Sequence, residues 1–357
     1  LEHIRLAGNN FTSVPSELYV IPNLRSIGMG DNPISFIDPG INAMPHLDAL
    51  DLRDCALTSF PTSLPVGLEQ LILNGNDLGS LPPGAINYLT SLNSLYVSDT
   101  GITALPDVLY DMTWLGSLIA ADNDISSISA DIGGMTSLRW LNLSGNNLQR
   151  LPDEICDCPN LELLWLDRNR LYNLPSDIGH TRIKDLRVSQ NRLSSLPQSI
   201  GESTRLKKLD VMINRLTSLP GSFDNIEYDV CYLEYNFLDV SPGSAVRALI
   251  DNTSGTIDYE RQLSPVSNLV AVPSAADISL SWDACADGSG DGATWDVEGY
   301  IVYFDDSGLD KLAELAPSEL AYTHEELVPE SEHEYRVGVD YRVKDPAFGI
   351  NTVIRGY

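Results

Sequence analysis

The 357-residue sequence predicts an α/β solenoid, a stack of similar coils with a parallel β-sheet along its concave face, followed by an all-β sandwich. Three observations carry this expectation. A short sentence, L-x-x-L-x-L-x-x-N-x-L, recurs in register from Leu1 onward. Most copies continue with Leu-Pro, which punctuates the return half of each coil. After Leu263 the pattern changes to short alternating apolar runs separated by turn residues.

The units start at Leu1, Leu24, Leu47, Leu68, Leu92, Leu115, Leu138, Leu161, Ile183, Leu206 and, in degraded form, Tyr228. A repeat of this length means a quasi-one-dimensional stack. Within each unit the L-x-L stretch has period two, so alternate side chains of a short strand point into the coil. The Leu-Pro steps, as at Leu81-Pro82, Leu151-Pro152 and Leu196-Pro197, return the chain along the other face, because proline cannot donate to a ladder. An inward leucine contributes roughly 1.5–3 kcal/mol, but only where a neighbouring coil covers it. These residues resemble the leucine-rich repeat family, in the short L-P-x-x-I form of bacterial members. The resemblance spans about two thirds of the chain, over residues 1–240.

Asparagine occupies the ninth place of most units: Asn9, Asn32, Asn76, Asn123, Asn146, Asn169, Asn191, Asn214 and Asn236. Its amide both donates and accepts, and so can satisfy backbone groups stranded by the inward bend. Cys55 and Thr100 replace it in two units and bring less bonding capacity. Residues 241–263 read as a C-terminal cap, a short helix over "AVRALI" and a closing strand over "TIDYERQ". Leu1 already stands inside a unit, so further repeats or an N-terminal cap are expected upstream of it.

Residues 264–357 resemble a fibronectin type III domain, with Pro265 opening the first strand, Trp282 on the second, and Tyr300 and Tyr303 on the third. The family's L-x-P-x-[ST]-x-Y corner is met by Leu327, Pro329 and Ser331, while His333 stands in the place of the tyrosine. The resemblance implies a spacer or an interaction module.

The net charge of −28 excludes a nucleic-acid footprint, which needs a basic surface, and disfavours docking on anionic membranes. No apolar run reaches the ~20 residues of a membrane span. The charge is uneven: residues 1–138 hold 3 basic and 15 acidic side chains, whereas residues 139–263 hold 14 and 17. The five cysteines, Cys55, Cys156, Cys158, Cys231 and Cys285, form no zinc-type C-x-x-C pair. Cys55 and Cys231 fall at repeat positions expected to be buried. The five histidines are scattered, and no nucleophile elbow, phosphate loop or H-E-x-x-H motif occurs, so no enzyme is expected.

The letters that vary between framework leucines face outward. On the expected concave face they include Ile72, Tyr96, Ile119, Trp140, Leu163 and Trp165, followed by Arg187 and Tyr232. Acidic outward positions, Asp31, Asp48, Asp51, Asp54, Asp99 and Asp122, precede this stretch. Basic ones, Arg168, Lys184, Lys207 and Lys208, follow it, with Tyr235 beyond. Large apolar and aromatic residues on a sheet surface mark a binding patch for a protein or peptide, or pack on each other across strands. Both readings stay open at this point.

One further motif is a candidate calcium loop, "DGSGDGATWDVE". Asp287, Ser289, Asp291 and Glu298 take ligand positions one, three, five and twelve, and Ala293 offers its carbonyl. The combined expectation is a secreted or cell-surface recognition protein that binds a protein or peptide. A structural subunit of an extracellular assembly, self-associating through its repeats or sandwich, is the alternative.

Overall fold

The computed structural model describes residues 1–259, 262–263, 270–273, 278–282, 285, 288–290, 293–305, 310–324, 334–345 and 350–356. Each unit supplies one short strand: β1 (His3–Arg5), β2 (Ser26–Gly28), β3 (Ala49–Asp51), β4 (Gln70–Ile72), β5 (Ser94–Tyr96) and β6 (Ser117–Ile119). β7 (Trp140–Asn142), β8 (Leu163–Trp165), β9 (Asp185–Arg187), β10 (Lys208–Asp210) and β11 (Glu227–Tyr232) continue the series. With β12 (Ser254–Asp258) they form one twelve-stranded sheet in sequence order, every pair parallel. Register is exact from unit to unit: Leu118, Leu141, Leu164 and Leu186 stand side by side at the centres of their strands. All four are at most 1% exposed. Their burial on one side of the sheet explains why the repeat tolerates so little change at these positions.

The return halves are single turns. Two are α-helical, α1 (Pro83–Ile86) and α2 (Asp107–Tyr110), each preceded by a proline. Most others, such as Ala130–Gly134, Asp153–Asp157 and Gln198–Glu202, are 3₁₀ turns. Proline suits a first turn, where its missing N–H is unpaired in any case. After β11 comes α3 (Ala245–Asn252), then β12 pairs in parallel with β11 through a bulge near Tyr228.

Asparagine at the ninth place does what its chemistry allows. Asn146 donates through Nδ2 to Leu143 O and Ser144 O of its own unit, and to Ala120 O of the unit before. Its Oδ1 accepts from Ile125 N, 2.9 Å away. Asn76, Asn123, Asn169 and Asn191 repeat this set. Cys55 keeps one such bond, to Met29 O, and Thr100 Oγ1 donates to Val97 O. Just before the asparagine, the eighth residue is left-handed in every unit, with φ of 52–56° at Asp31, Asp54, Asp99, Asp122, Arg168 and Gln190. Glycine takes this place at Gly75 and Gly145, where it has a second use. A Cβ on either would collide with the carboxylate of the preceding unit, Asp54 over Gly75 and Asp122 over Gly145.

The cysteines are all free. Cys158 and Cys231 are buried, whereas Cys55 is only half-buried, short of the expected core position. Burial pushes the Cys156 thiol up to about 12 and that of Cys158 to about 11, away from reactivity.

By contact the chain divides into two compact units. One comprises Leu1–Met212, Leu219–Leu233 and Arg247–Asp258, and holds the whole twelve-stranded sheet. The other comprises Ile213–Ser218, Glu234–Val246 and Tyr259–Tyr357. In the second unit β13 (Val270–Pro273), β14 (Ile278–Ser281) and β18 (Ala321–His324) form one antiparallel sheet. β15 (Gly288–Gly290), β16 (Ala293–Asp305), β19 (Glu334–Asp345) and β20 (Ile350–Gly356) form another, with β17 (Asp310–Leu315) on the free edge of β16. Trp282, just past β14, meets Tyr300 of β16 with ring centroids 5.5 Å apart, and both are buried.

Candidate binding face on the parallel sheet

Strands three residues long present two outward side chains each, and parallel pairing lines these up in two rows. One row runs Arg5, Gly28, Asp51, Ile72, Tyr96, Ile119, Asn142, Trp165, Arg187, Asp210, Tyr232 and Asp258. In the other, Trp140 stands beside Leu163, then Asp185, Lys208 and Val230. Neighbours along a row are separated by one strand spacing, about 4.8 Å, close enough for side chains to touch.

The structure therefore brings Trp140, Leu163, Trp165, Arg187 and Tyr232 into one stretch. Ile72, Tyr96 and Ile119 lie further along, with Asn142 between Ile119 and Trp165. The apolar residues are less open than the sequence suggests. Ile119 is buried at 7% exposure, and Ile72, Tyr96, Trp140, Leu163 and Trp165 are half-buried. Their strands are spaced so closely that large side chains cover one another.

The centre is aromatic and cationic. Trp140 and Trp165 meet edge to face, centroids 5.1 Å apart and planes at 69°. The Arg187 guanidinium lies over the Trp165 ring, 4.1 Å from its centroid. Such contacts contribute about 0.5–1.5 kcal/mol each. Arg187 is also held by Asp185, with Nε donating to Oδ1 and Nη2 to Oδ2, both at 3.0 Å. That fork raises the Arg187 pKa above its ordinary value and fixes the plane of the guanidinium against the indole.

Three carboxylates surround this arginine. Asp185 is its direct partner and is 6% exposed. Asp167, in the turn after β8, accepts from Ser189 N and Oγ at 2.9 and 2.8 Å, and burial raises its pKa. Asp210 accepts from Met212 N at 3.1 Å. Burial, and next the nearby Asp167, push the Asp210 carboxyl up to about 7. A depression of about 200 Å³ opens here, lined by Asp185, Arg187, Lys208, Leu209, Asp210, Val230 and Tyr232.

Asp167, Asp185 and Asp210 are the members of the site that sequence reasoning missed. The signal was available: Asp210 stands in the outward row between Arg187 and Tyr232. The expected basic end is also largely neutralised. Arg168 pairs with Asp122 at 2.8 Å, reaching across the side-chain-free Gly145. Lys184 pairs with Glu162 and Lys207 with Glu227. Tyr235, expected outward, is fully buried.

Of the candidate calcium positions, Asp287 and Asp291 lie outside the described residues. Ser289 and Ala293 belong to the paired strands β15 and β16, and Glu298 is exposed on β16. Among the described residues, no group of three or more His, Cys, Asp or Glu side chains is placed to hold a metal. Nor is any described helix long and apolar enough to cross a membrane.

An in-register parallel sheet with an asparagine in most bends defines a solenoid repeat protein, and comparison sharpens the class. Residues 115–171 match the family model described as "Leucine rich repeat". The solved structure of a leucine-rich repeat protein from Leptospira interrogans superposes with a TM-score of 0.56 at 22% identity, over 70% of this chain and 76% of that one. A plant peptide hormone receptor, RGFR1, solved in complex with RGF2, superposes with a TM-score of 0.57 at 21% identity, over 73% of this chain and 48% of the receptor. Mouse podocan is 33% identical over 87 residues, which is 23% of this chain and 14% of podocan. The chain therefore spans only a small part of that relative's length. The fold of the twelve-stranded unit is the leucine-rich repeat solenoid.

Proposed function

We propose that this is a non-enzymatic recognition protein, secreted or displayed at the cell surface, that holds a protein or peptide on the open, concave face of its sheet. One observation carries the reading. Trp140, Trp165, Arg187 and Tyr232 are gathered on the solvent side of the sheet, where the packing of the core does not require them. Tryptophan, tyrosine and arginine are the residues that dominate interface energetics, since each combines large apolar area with a polar handle. RGFR1, which shares the fold, is a peptide hormone receptor in complex with RGF2, and this supports a peptide or protein as partner.

In this reading residues 241–263 close the end of the stack, and residues 264–357 form a fibronectin type III-like sandwich that spaces or links the binding unit. The strand pairings support the latter: β13, β14 and β18 in one antiparallel sheet, and β17, β16, β19 and β20 in the other.

The test is selection of a displayed random peptide library on the full chain, with the Trp140→Ala/Trp165→Ala variant as the counter-target. Sequences that bind the wild type and lose at least tenfold in affinity on the variant bear the reading out. Equal binding to both, with the variant still melting cooperatively, means that the face is merely packed.

A further inference from the structure

The depression beside Trp165 has an electrostatic defect that a ligand can repair. Asp210 lines it with one backbone N–H as hydrogen-bond donor and, among the described residues, no cation within ion-pair distance. The charged groups facing it come from every neighbouring element: Asp167 after β8, Asp185 and Arg187 on β9, Lys208 on its own strand, and Tyr232 on β11 with Asp258 beyond it on β12. Arg187 supplies only part of the counter-charge. Its Nε and Nη2 are committed to Asp185, and its face to Trp165. A half-buried carboxylate in this state is held back from ionising, which is why its carboxyl stands near neutrality.

The remaining question is which ligand chemistry fits. An anion would meet the carboxylates of Asp185 and Asp210 in the lining, with Asp167 nearby, against Lys208 and a guanidinium already held by Asp185. A bare metal ion would need converging ligands, which are not present among the described residues. An organic cation finds the carboxylates of Asp210 and Asp185 and aromatic Tyr232 in the lining, with Lys208 as the like charge there and the indole of Trp165 close by. A volume of about 200 Å³ admits one long side chain rather than a folded surface. The approach is acidic as well: residues 1–138 carry 15 acidic and 3 basic side chains, and Asp31, Asp54 and Asp99 are exposed in the turns that follow the strands. That surplus draws a positively charged segment along the face.

Resting on the peptide-binding reading above, we propose that the partner is a basic peptide segment, one of whose arginine or lysine side chains seats in the depression between β9, β10 and β11 and pairs with Asp210. The seated cation replaces the missing counter-charge, so Asp210 ionises on binding, and affinity falls as the pH drops through neutrality.

Two pools of fluorescein-labelled dodecapeptides test this on the full chain by fluorescence anisotropy. They share random neutral residues at every position but the sixth, which is arginine in one pool and glutamine in the other. The expected result at pH 8 is at least tenfold tighter binding of the arginine pool. That preference shrinks to threefold or less at pH 5.5 and in Asp210→Asn. Because Asp210→Asn can alter packing, Tyr232→Ala and a rise from 50 to 300 mM salt serve as independent arms, each expected to narrow the preference. Equal binding of both pools at pH 8, with Trp165→Ala weakening both, overturns the basic-peptide proposal and leaves concave-face binding standing. Binding of neither pool, or equal binding that Trp165→Ala leaves unchanged, overturns both.

Discussion

Two arginine forks, one in each half of the sheet, show how the same chemistry takes different roles along one repeat. In the N-terminal half Arg53 grips Asp51 through Nε and Nη2 at 2.8–3.1 Å. In the C-terminal half Arg187 grips Asp185 through the same two nitrogens at 3.0 Å. The hydrogen bonds are alike, but the surroundings differ. The Asp51 side chain is 29% exposed and Asp185 only 9%, and Arg187 alone lies on an indole. The first fork is a solvated surface pair. Both forks line depressions, of about 440 and 200 Å³, but only the second is held from two sides, by its aspartate and by the indole. What differs is the variable letter on the neighbouring strand, small around Arg53 (Gly28, Gly30, Ala49) and tryptophan beside Arg187.

The asparagine ladder differs between the halves in the same direction, and there the largest effect is expected. The ladder is unbroken from Asn123 to Asn191 but interrupted by Cys55 and Thr100 earlier in the chain. Asn146→Ala strands the buried Ile125 N–H and takes one of two donors from each of three carbonyls, which lowers unfolding free energy by about 3 kcal/mol. Cys55→Ala, which loses one weak bond, costs less than about 1 kcal/mol. Urea denaturation of the two variants checks the contrast, and equal losses would remove it.

The forks themselves come next. Arg187→Met leaves Asp185 buried without its partner and costs about 2 kcal/mol, whereas Arg53→Met costs less than about 0.5 kcal/mol. If the two midpoints fall together, the tryptophan wall does not distinguish them.

Asp210 gives an effect of opposite sign. Its folded-state pKa is raised, so the protonated form stabilises the fold fully below about pH 4. That stability is lost as the pH rises to about 7. Asp210→Asn is therefore more stable than the wild type at pH 8, by on the order of 1 kcal/mol given the open depression, and indistinguishable from it near pH 4. Melting temperatures across that range are the measurement, and a variant that is less stable at pH 8 contradicts the assignment. The smallest effect belongs to Arg168→Met, which breaks an exposed pair with Asp122 and costs less than about 0.5 kcal/mol, falling further in high salt.

Much of the molecule is legible in the letters. Leu141 and Leu164 announce their burial by period two, and Asn146 announces its bonds by recurring at each bend. The rows on the outer face follow from the same register, so Trp140, Trp165 and Arg187 could be placed together in advance. Asp210 was in the same row and was passed over, because a carboxylate in an acidic chain carries no signal until its burial is known. The pairing of the basic end was not legible for a related reason. Arg168 meets Asp122 only because Gly145 between them has no side chain, a contact that skips a unit and leaves no mark in the repeat.

The amino-acid sequence alone determined the period, the inward and outward sides of each strand and the identity of every outward letter, since these follow from spacing along a single coil. Only the tertiary structure decided which outward charges are paired, which are kept from water, and where a depression opens. Those properties depend on distances between coils and on the solvent each neighbour displaces, and one coil cannot state them.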